Sequence, residues 1–325
     1  MKLLAFCFLL LVGAGTAQAR CSGIDYRTQL SPTELANLKR EAAKVPFAYG
    51  NHWIATRGGR RIHIIGTLHD GDRRMVRVMR NLRPVLDRAD AALFEVTDQD
   101  LDGNIFERQL GHFTLPAQTR LQDLLTEDTW ALLSRLATAR GLNPAKVDTL
   151  QPWAASMFLI SDTCTMLGIG PTRGLDSRIE RYAIRKRIPI GALETVGESF
   201  AAFSRVPLRD QVRNVEIELQ MMLADKPDDS SVVEAYFEEA VWESILLQRW
   251  IMRRYARASD QELRRYWQRF DKNLITTRNL KWTKRILATQ GDTLVVAVGA
   301  AHLPGHSGLL NLLKARGYRL ERAPW

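Results

Sequence analysis

Two stretches of the chain repeat one pattern: Arg61-Ile62-His63-Ile64-Ile65-Gly66-Thr67-Leu68-His69 and Leu294-Val295-Val296-Ala297-Val298-Gly299-Ala300-Ala301-His302. Each is an apolar, β-branched run bounded by glycine, the pattern of a buried strand. Each closes on Gly-x-x-His, so each strand is expected to deliver a histidine just past its C-terminal end. In open α/β sheets ligands bind outside the strand carboxyl ends, where loops rather than helices line the crevice. The repeat therefore predicts an α/β fold with one site that holds His69 and His302.

Two further runs end in a carboxylate: Ala89-Asp90-Ala91-Ala92-Leu93-Phe94-Glu95 and Ile188-Pro189-Ile190-Gly191-Ala192-Leu193-Glu194. If all these strands lie parallel and adjacent, His69, Glu95 and His302 converge on one mouth, with Glu194 beside them. Two imidazoles and a carboxylate suit a divalent metal such as Mn, Co or Zn. Such a metal polarises a carbonyl and lowers the pKa of a bound water, while a carboxylate accepts the proton. That chemistry is hydrolysis. A single Gly-x-x-His is weak evidence, and Glu95 alone more often partners an arginine; the reading rests on their combination. No Gly-x-Ser-x-Gly elbow, phosphate-cradling loop or His-Glu-x-x-His helix is present. His63 is expected to pack away from the site. His306, four residues after His302, is within metal reach by helical spacing.

The start of the 325-residue chain reads as a secretory signal peptide over residues 1–19: Lys2, an apolar core from Leu3 to Gly13, then Ala17-Gln18-Ala19. The core is short for a membrane span, and no later run reaches the length one needs. The expectation is an exported protein, residues 20–325, in a single domain with no transmembrane span. Of three cysteines, Cys7 is lost with the signal, and an oxidising compartment favours a disulfide between Cys21 and Cys164. The net charge is +10, with basic residues concentrated from Arg249 to Arg285. Behind a signal peptide this stripe points away from nucleic acid. It reads first as the solvated face of long helices and second as a contact with an anionic envelope surface.

Gly58-Gly59 predicts a hairpin that joins a strand at 51–57 to the first motif strand and makes the sheet mixed. Helices are expected at 31–44, capped near Ser31, and at 73–88, with Pro84 marking a kink or an early end. Residues 121–167 read as helical, with Gly141 closing one helix and Gln151-Pro152-Trp153 opening the next. Asp176 is expected to cap the following helix. Residues 208–290 carry long charged helices and no strand signal, a helical layer or insertion that forms either a substrate wall or scaffold. Within it, Ser231-Val232-Val233-Glu234 has the form of a capping box. A helix at 307–316 and a strand at 318–321 end the chain.

Taken in order, Ile65-Gly66-Thr67-Leu68-His69, Phe94-Glu95, Pro152-Trp153, Gly174-Leu175-Asp176, Leu193-Glu194-Thr195, Arg278-Asn279 and Val298-Gly299-Ala300-Ala301-His302-Leu303-Pro304-Gly305 resemble the TraB/GumN proteins. These are relatives of the pheromone-shutdown proteins and of the Tiki proteases. The resemblance implies a mixed sheet similar to the erythromycin-esterase and ChaN-like groups, and a periplasmic location. It also implies a metal-dependent, peptidase-like hydrolase of peptides or envelope components that carries Mn or Co. His69, Glu95 and His302 become the core of that site. Arg278 becomes a holder of a substrate carboxylate or an oxyanion, or, on the plainer reading, an ion-pair partner of Glu95 or Glu194. A non-catalytic peptide- or ligand-binding protein is the alternative function, and an accessory protein of envelope polysaccharide a third. His306 stands where relatives often carry an acidic residue.

Overall fold

The computed structural model describes residues 23–69, 71–97, 99–100, 104–160, 174–224 and 229–325. The signal segment 1–19, Cys21 and Cys164 lie outside the described residues.

At its centre is a six-stranded mixed sheet of β1 (His52–Arg57), β2 (Arg60–Thr67), β3 (Ala91–Phe94), β4 (Ile190–Ala192), β5 (Thr293–Gly299) and β6 (Arg319–Arg322). Their spatial order is β4-β3-β5-β2-β1-β6. Gly58 and Gly59 take φ of +57° and +85°, and this two-glycine turn folds β1 back antiparallel on β2. The two motif strands are parallel neighbours in register, with Gly66 opposite Val298 and Thr67 opposite Gly299. β3 flanks β5 on the other side, with Phe94 opposite Ala297, and β4 flanks β3. This register aligns the ends of four parallel strands, so the residues that follow Gly66, Phe94, Ala192 and Gly299 share one sheet edge.

Both faces of the parallel strands are covered, which is why they read as continuous apolar runs rather than as alternation. One face presents Ile65, Phe94, Val295 and Ala297 to the helices Met75–Leu86 and Leu175–Lys186, through Met75, Leu82, Leu86, Leu175 and Ile179. The opposite face presents Ile62, Ile64, Leu294, Val296 and Val298 to the helices Thr277–Ala288 and Leu309–Lys314, through Trp282, Ile286, Leu309 and Leu313. Full burial of each valine, leucine, isoleucine, methionine or phenylalanine among them contributes about 1.5–3 kcal/mol. A third cluster joins Leu133, Ala155, Leu159, Val215 and Leu219 and builds a helical layer beside the sheet.

Most expected elements form. Ser31 caps the helix Pro32–Ala43 in a capping box with Glu34. Pro84 is tolerated in the last turn of Met75–Leu86, which ends two residues later. Gly141 takes φ +71° just past Glu127–Ala139. Two caps differ from expectation. Gly174, not Asp176, is the N-cap of Leu175–Lys186, so Asp176 lies inside the first turn with its carboxylate free for another task. Ser231 is the first helical residue of Ser231–Phe237 and forms no capping box; its hydroxyl instead accepts a bond from the Tyr26 N–H at 2.9 Å.

The described residues of the 208–290 region form the helices Leu208–Leu223, Ser231–Phe237, Val241–Tyr255 and Asp260–Phe270, followed by the π-helix Asp271–Thr276 and the helix Thr277–Ala288. The last packs directly on the sheet. Much of the basic stripe is paired within the fold: Arg249 with Asp271 at 3.0 Å, Arg253 with Asp260 at 3.0 Å, Arg269 with Asp210 at 2.9 Å, and Lys281 with Glu198. Among the described residues, no helix is long and apolar enough to cross a membrane.

Candidate functional site

The aligned strand ends bring His69, Glu95, Glu194 and His302 together, and Arg278 reaches them from the helix Thr277–Ala288. The guanidinium is the hub. Its Nε donates to Glu194 Oε1 at 3.0 Å, and its Nη2 donates to Glu194 Oε1 and to Glu95 Oε2, each at 2.6 Å. Its Nη1 donates to the Leu274 carbonyl at 3.4 Å and faces His302 Nε2 at 3.2 Å. The Trp282 ring lies 4.5 Å beneath it. The five N–H groups thus make five contacts to four acceptor atoms, so a substrate group would have to displace one of them. Burial works against the charge, and the two glutamates outweigh it, which raises the arginine's pKa further.

Glu95 is pinned at both oxygens: Oε1 accepts the Gly299 N–H at 2.6 Å and Oε2 accepts from Arg278. Burial favours its neutral form, but Arg278 and then the surrounding imidazoles and the Gly299 amide prevail and lower its pKa to about 2. Glu194 is 1% exposed and also accepts the Trp282 indole N–H at 3.1 Å.

The tautomer of His302 follows from Asn279. The Asn279 amide nitrogen donates to the carbonyls of His302 and Ser307, at 3.1 and 2.8 Å, which fixes its Oδ1 toward His302 Nδ1 at 2.7 Å. Nδ1 therefore carries the proton, and Nε2 presents its lone pair to Arg278. Burial is the main reason that the pKa of His302 falls to about 3, with Arg278 adding to it and Glu95 opposing. His302 is a neutral imidazole.

His69 is the opposite case. Its side chain is 35% exposed, and its Nδ1 lies 3.2 Å from Asp176 Oδ2. Burial disfavours its charge, but Asp176 first and Glu95 second overcome that and raise the pKa to about 9. No hydrogen bond among the described residues engages its Nε2. Gly174 makes the pairing possible: a Cβ there would lie 2.3 Å from the Leu68 carbonyl oxygen and 2.5 Å from His69 Cα. The close approach lets the Leu175 N–H bond to the Leu68 carbonyl at 3.0 Å, and the next residue, Asp176, meets the imidazole.

Of these groups, His69, Glu95, Arg278 and His302 line one wall of a cavity of about 710 Å³ whose other walls come from the helical layer, including Trp153, Phe203, Glu218, Tyr266 and Trp267. The remaining histidines stand elsewhere. His63 is buried with His52, their ring nitrogens 3.1 Å apart. His112 bonds to the Ser204 hydroxyl. His306 is exposed beyond the left-handed turn at Gly305, φ +95°, and does not line the cavity, so the helical spacing expected for it is broken.

The divalent metal expected from the sequence does not fit this arrangement. Among the described residues, no group of three His, Cys, Asp or Glu side chains stands close enough to hold an ion. The His302 lone pair and Glu95 Oε2, two of its expected donors, already face a cation, the Arg278 guanidinium. Asp176 is the residue that sequence reasoning missed, because an aspartate at a helix start reads as a cap. The signal that pointed to it was the Gly174-Leu175-Asp176 motif.

The sequence pattern of the TraB/PrgY/gumN family matches residues 51–322, a span that runs from β1 through both Gly-x-x-His motifs to β6. The chain belongs to the TraB/PrgY/gumN family. It is similar to the uncharacterized protein YbaP of Escherichia coli strain K12, at 23% identity over 285 residues that cover 82% of this chain and 94% of that protein. YbaP of Shigella flexneri matches to the same extent. Every residue of the Arg278 hub and the His69–Asp176 pair lies inside the TraB/PrgY/gumN span.

Proposed function

We propose that this TraB/PrgY/gumN protein is an exported hydrolase of peptide-like substrates in which His69 moves the proton. The observation that carries the reading is the His69–Asp176 pair, whose histidine lines the cavity: a carboxylate orients the imidazole through Nδ1, and no hydrogen bond among the described residues engages Nε2. With a pKa of about 9, His69 is protonated at neutral pH. It then acts as a general acid: as water adds to the carbonyl carbon and the C–N bond breaks, His69 gives its proton to the leaving nitrogen and recovers one from the water. Glu95 and Arg278 hold the local field steady. The cavity, apolar over most of its helical wall, suits a peptide segment. Residues 1–19 supply the export signal, and the compartment reached is the periplasm.

The test is turnover of fluorogenic peptide and ester libraries by residues 20–325, beside His69→Ala and Asp176→Asn. Loss of turnover in both variants with the fold retained supports the reading; equal rates in parent and His69→Ala overturn it. A binding protein without turnover is the second reading, favoured by the saturation of Arg278. It predicts that peptides are retained and recovered intact.

A further inference from the structure

Glu218 lines the same cavity from the helix Leu208–Leu223. Among the described residues its two oxygens accept only hydroxyl hydrogens, from Ser156 and, at 3.1 Å, from Tyr266. No cation among the described residues pairs with it. Arg269, which also lines the cavity, is held by Asp210 at 2.9 Å. A carboxylate in a cavity also lined by Trp153, Tyr266 and Trp267, with no counter-charge among the described residues, is costly. Burial accordingly raises the Glu218 pKa, with the two hydroxyls opposing. Each oxygen keeps acceptor capacity beyond its one hydroxyl.

The aromatic rings of this cavity suit a cation as well. Trp153 stands one turn from Ser156 on the helix Pro152–Leu159 and stacks on Phe203 at 5.1 Å. Trp267, packed against Tyr266 at 5.4 Å, already holds the Arg249 guanidinium 5.2 Å from its ring centre.

We propose that Glu218, with Ser156, Tyr266 and the adjacent aromatic rings, is a subsite that binds the cationic group of the ligand, an ammonium or guanidinium carried on an apolar stem. A lysine or arginine side chain carries such a group on such a stem. The assignment of that side chain to the substrate rests on the hydrolase reading; the subsite itself does not. An arriving cation supplies the missing counter-charge and draws Glu218 into its ionised form. Affinity then weakens as the pH falls through the raised Glu218 pKa, because the protonated carboxyl no longer attracts the ligand.

The experiment is calorimetric titration of residues 20–325 with benzylammonium and with its neutral analogue benzyl alcohol, for the parent, Glu218→Gln and His69→Ala. The expected result is a preference of about tenfold or more for the ammonium in the parent and in His69→Ala. In Glu218→Gln the preference disappears while the alcohol still binds, which shows the cavity intact. Equal affinities in the parent, no ammonium binding, or a preference that survives Glu218→Gln overturns the subsite. Turnover is not read, so failure of the hydrolase reading would leave this result standing.

Discussion

His69 Nδ1 lies 3.2 Å from Asp176 Oδ2, although 107 positions separate the two residues. The two motif histidines behave oppositely: His69, beside the Asp176 carboxylate, is held protonated, and His302 is held neutral mainly by burial, with Arg278 adding to it.

Replacing Asp176 with Asn removes the charge that holds His69 protonated. What remains is burial and the repulsion of Arg278, opposed only by Glu95. The His69 pKa is expected to fall from about 9 to below its ordinary value of 6.5, as read by NMR titration of the imidazole. Turnover, if His69 is the proton carrier, drops by about 10²- to 10⁴-fold. A His69 pKa unmoved in Asp176→Asn would contradict the electrostatic account.

Arg278→Ala leaves Glu95 and Glu194 buried without their shared counter-charge. The expected loss is about 3–5 kcal/mol in urea denaturation. Adding Glu95→Gln to Arg278→Ala removes one of the stranded charges and restores part of the loss. If the double variant is no more stable than the single one, the guanidinium is not the counter-ion that holds the hub.

The pH dependence of stability has two limbs. On the acid side, His302 and His63 have folded pKa values of about 3 and about 4, below the unfolded 6.5. The unfolded chain then binds protons first, so stability falls as pH drops from 6.5 toward 3. Glu95, depressed to about 2, adds to this loss below its unfolded value of 4.5. On the alkaline side, the raised pKa of His69 contributes stability that is complete below 6.5 and is lost as pH rises through about 9. Denaturation midpoints across pH 3 to 10 test both limbs, and His302→Gln should flatten the acid limb selectively.

Gly174→Ala forces a methyl group onto the Leu68 carbonyl and His69 Cα, both backbone atoms that cannot rotate away. The expected cost is about 1–3 kcal/mol, the range for overpacking. Because the strain separates His69 from Asp176, the variant should also lower the His69 pKa, in the same direction as Asp176→Asn. A destabilised protein with an unshifted His69 would mean that the close approach matters for packing alone.

The sheet was legible because its signals are local. Apolar runs that end in glycine mark the motif strands, and Gly58-Gly59 marks the hairpin, since backbone conformation follows from neighbouring residues. The gathering of Glu95, Glu194 and the two histidines was legible by the same route, once parallel strands share an edge. The Asp176 role was not legible, because a first-turn aspartate has the same sequence signature whether it caps its own helix or turns to a distant histidine. Nor was the cavity wall around Glu218, which depends on how the helices Pro152–Leu159, Leu208–Leu223 and Asp260–Phe270 pack.

By itself the sequence determined the mixed α/β sheet, the two Gly-x-x-His strands and the carboxylates that end beside them. Side-chain alternation and glycine placement encode strand, turn and edge within a few residues. Only the tertiary structure decided that Arg278 fills the centre, bridging residues 84 and 183 positions away, and that Asn279 sets the His302 tautomer. Charges so far apart in the chain acquire their protonation states from neighbours that folding supplies, and the free energy of each pairing depends on distances and burial that no local pattern contains.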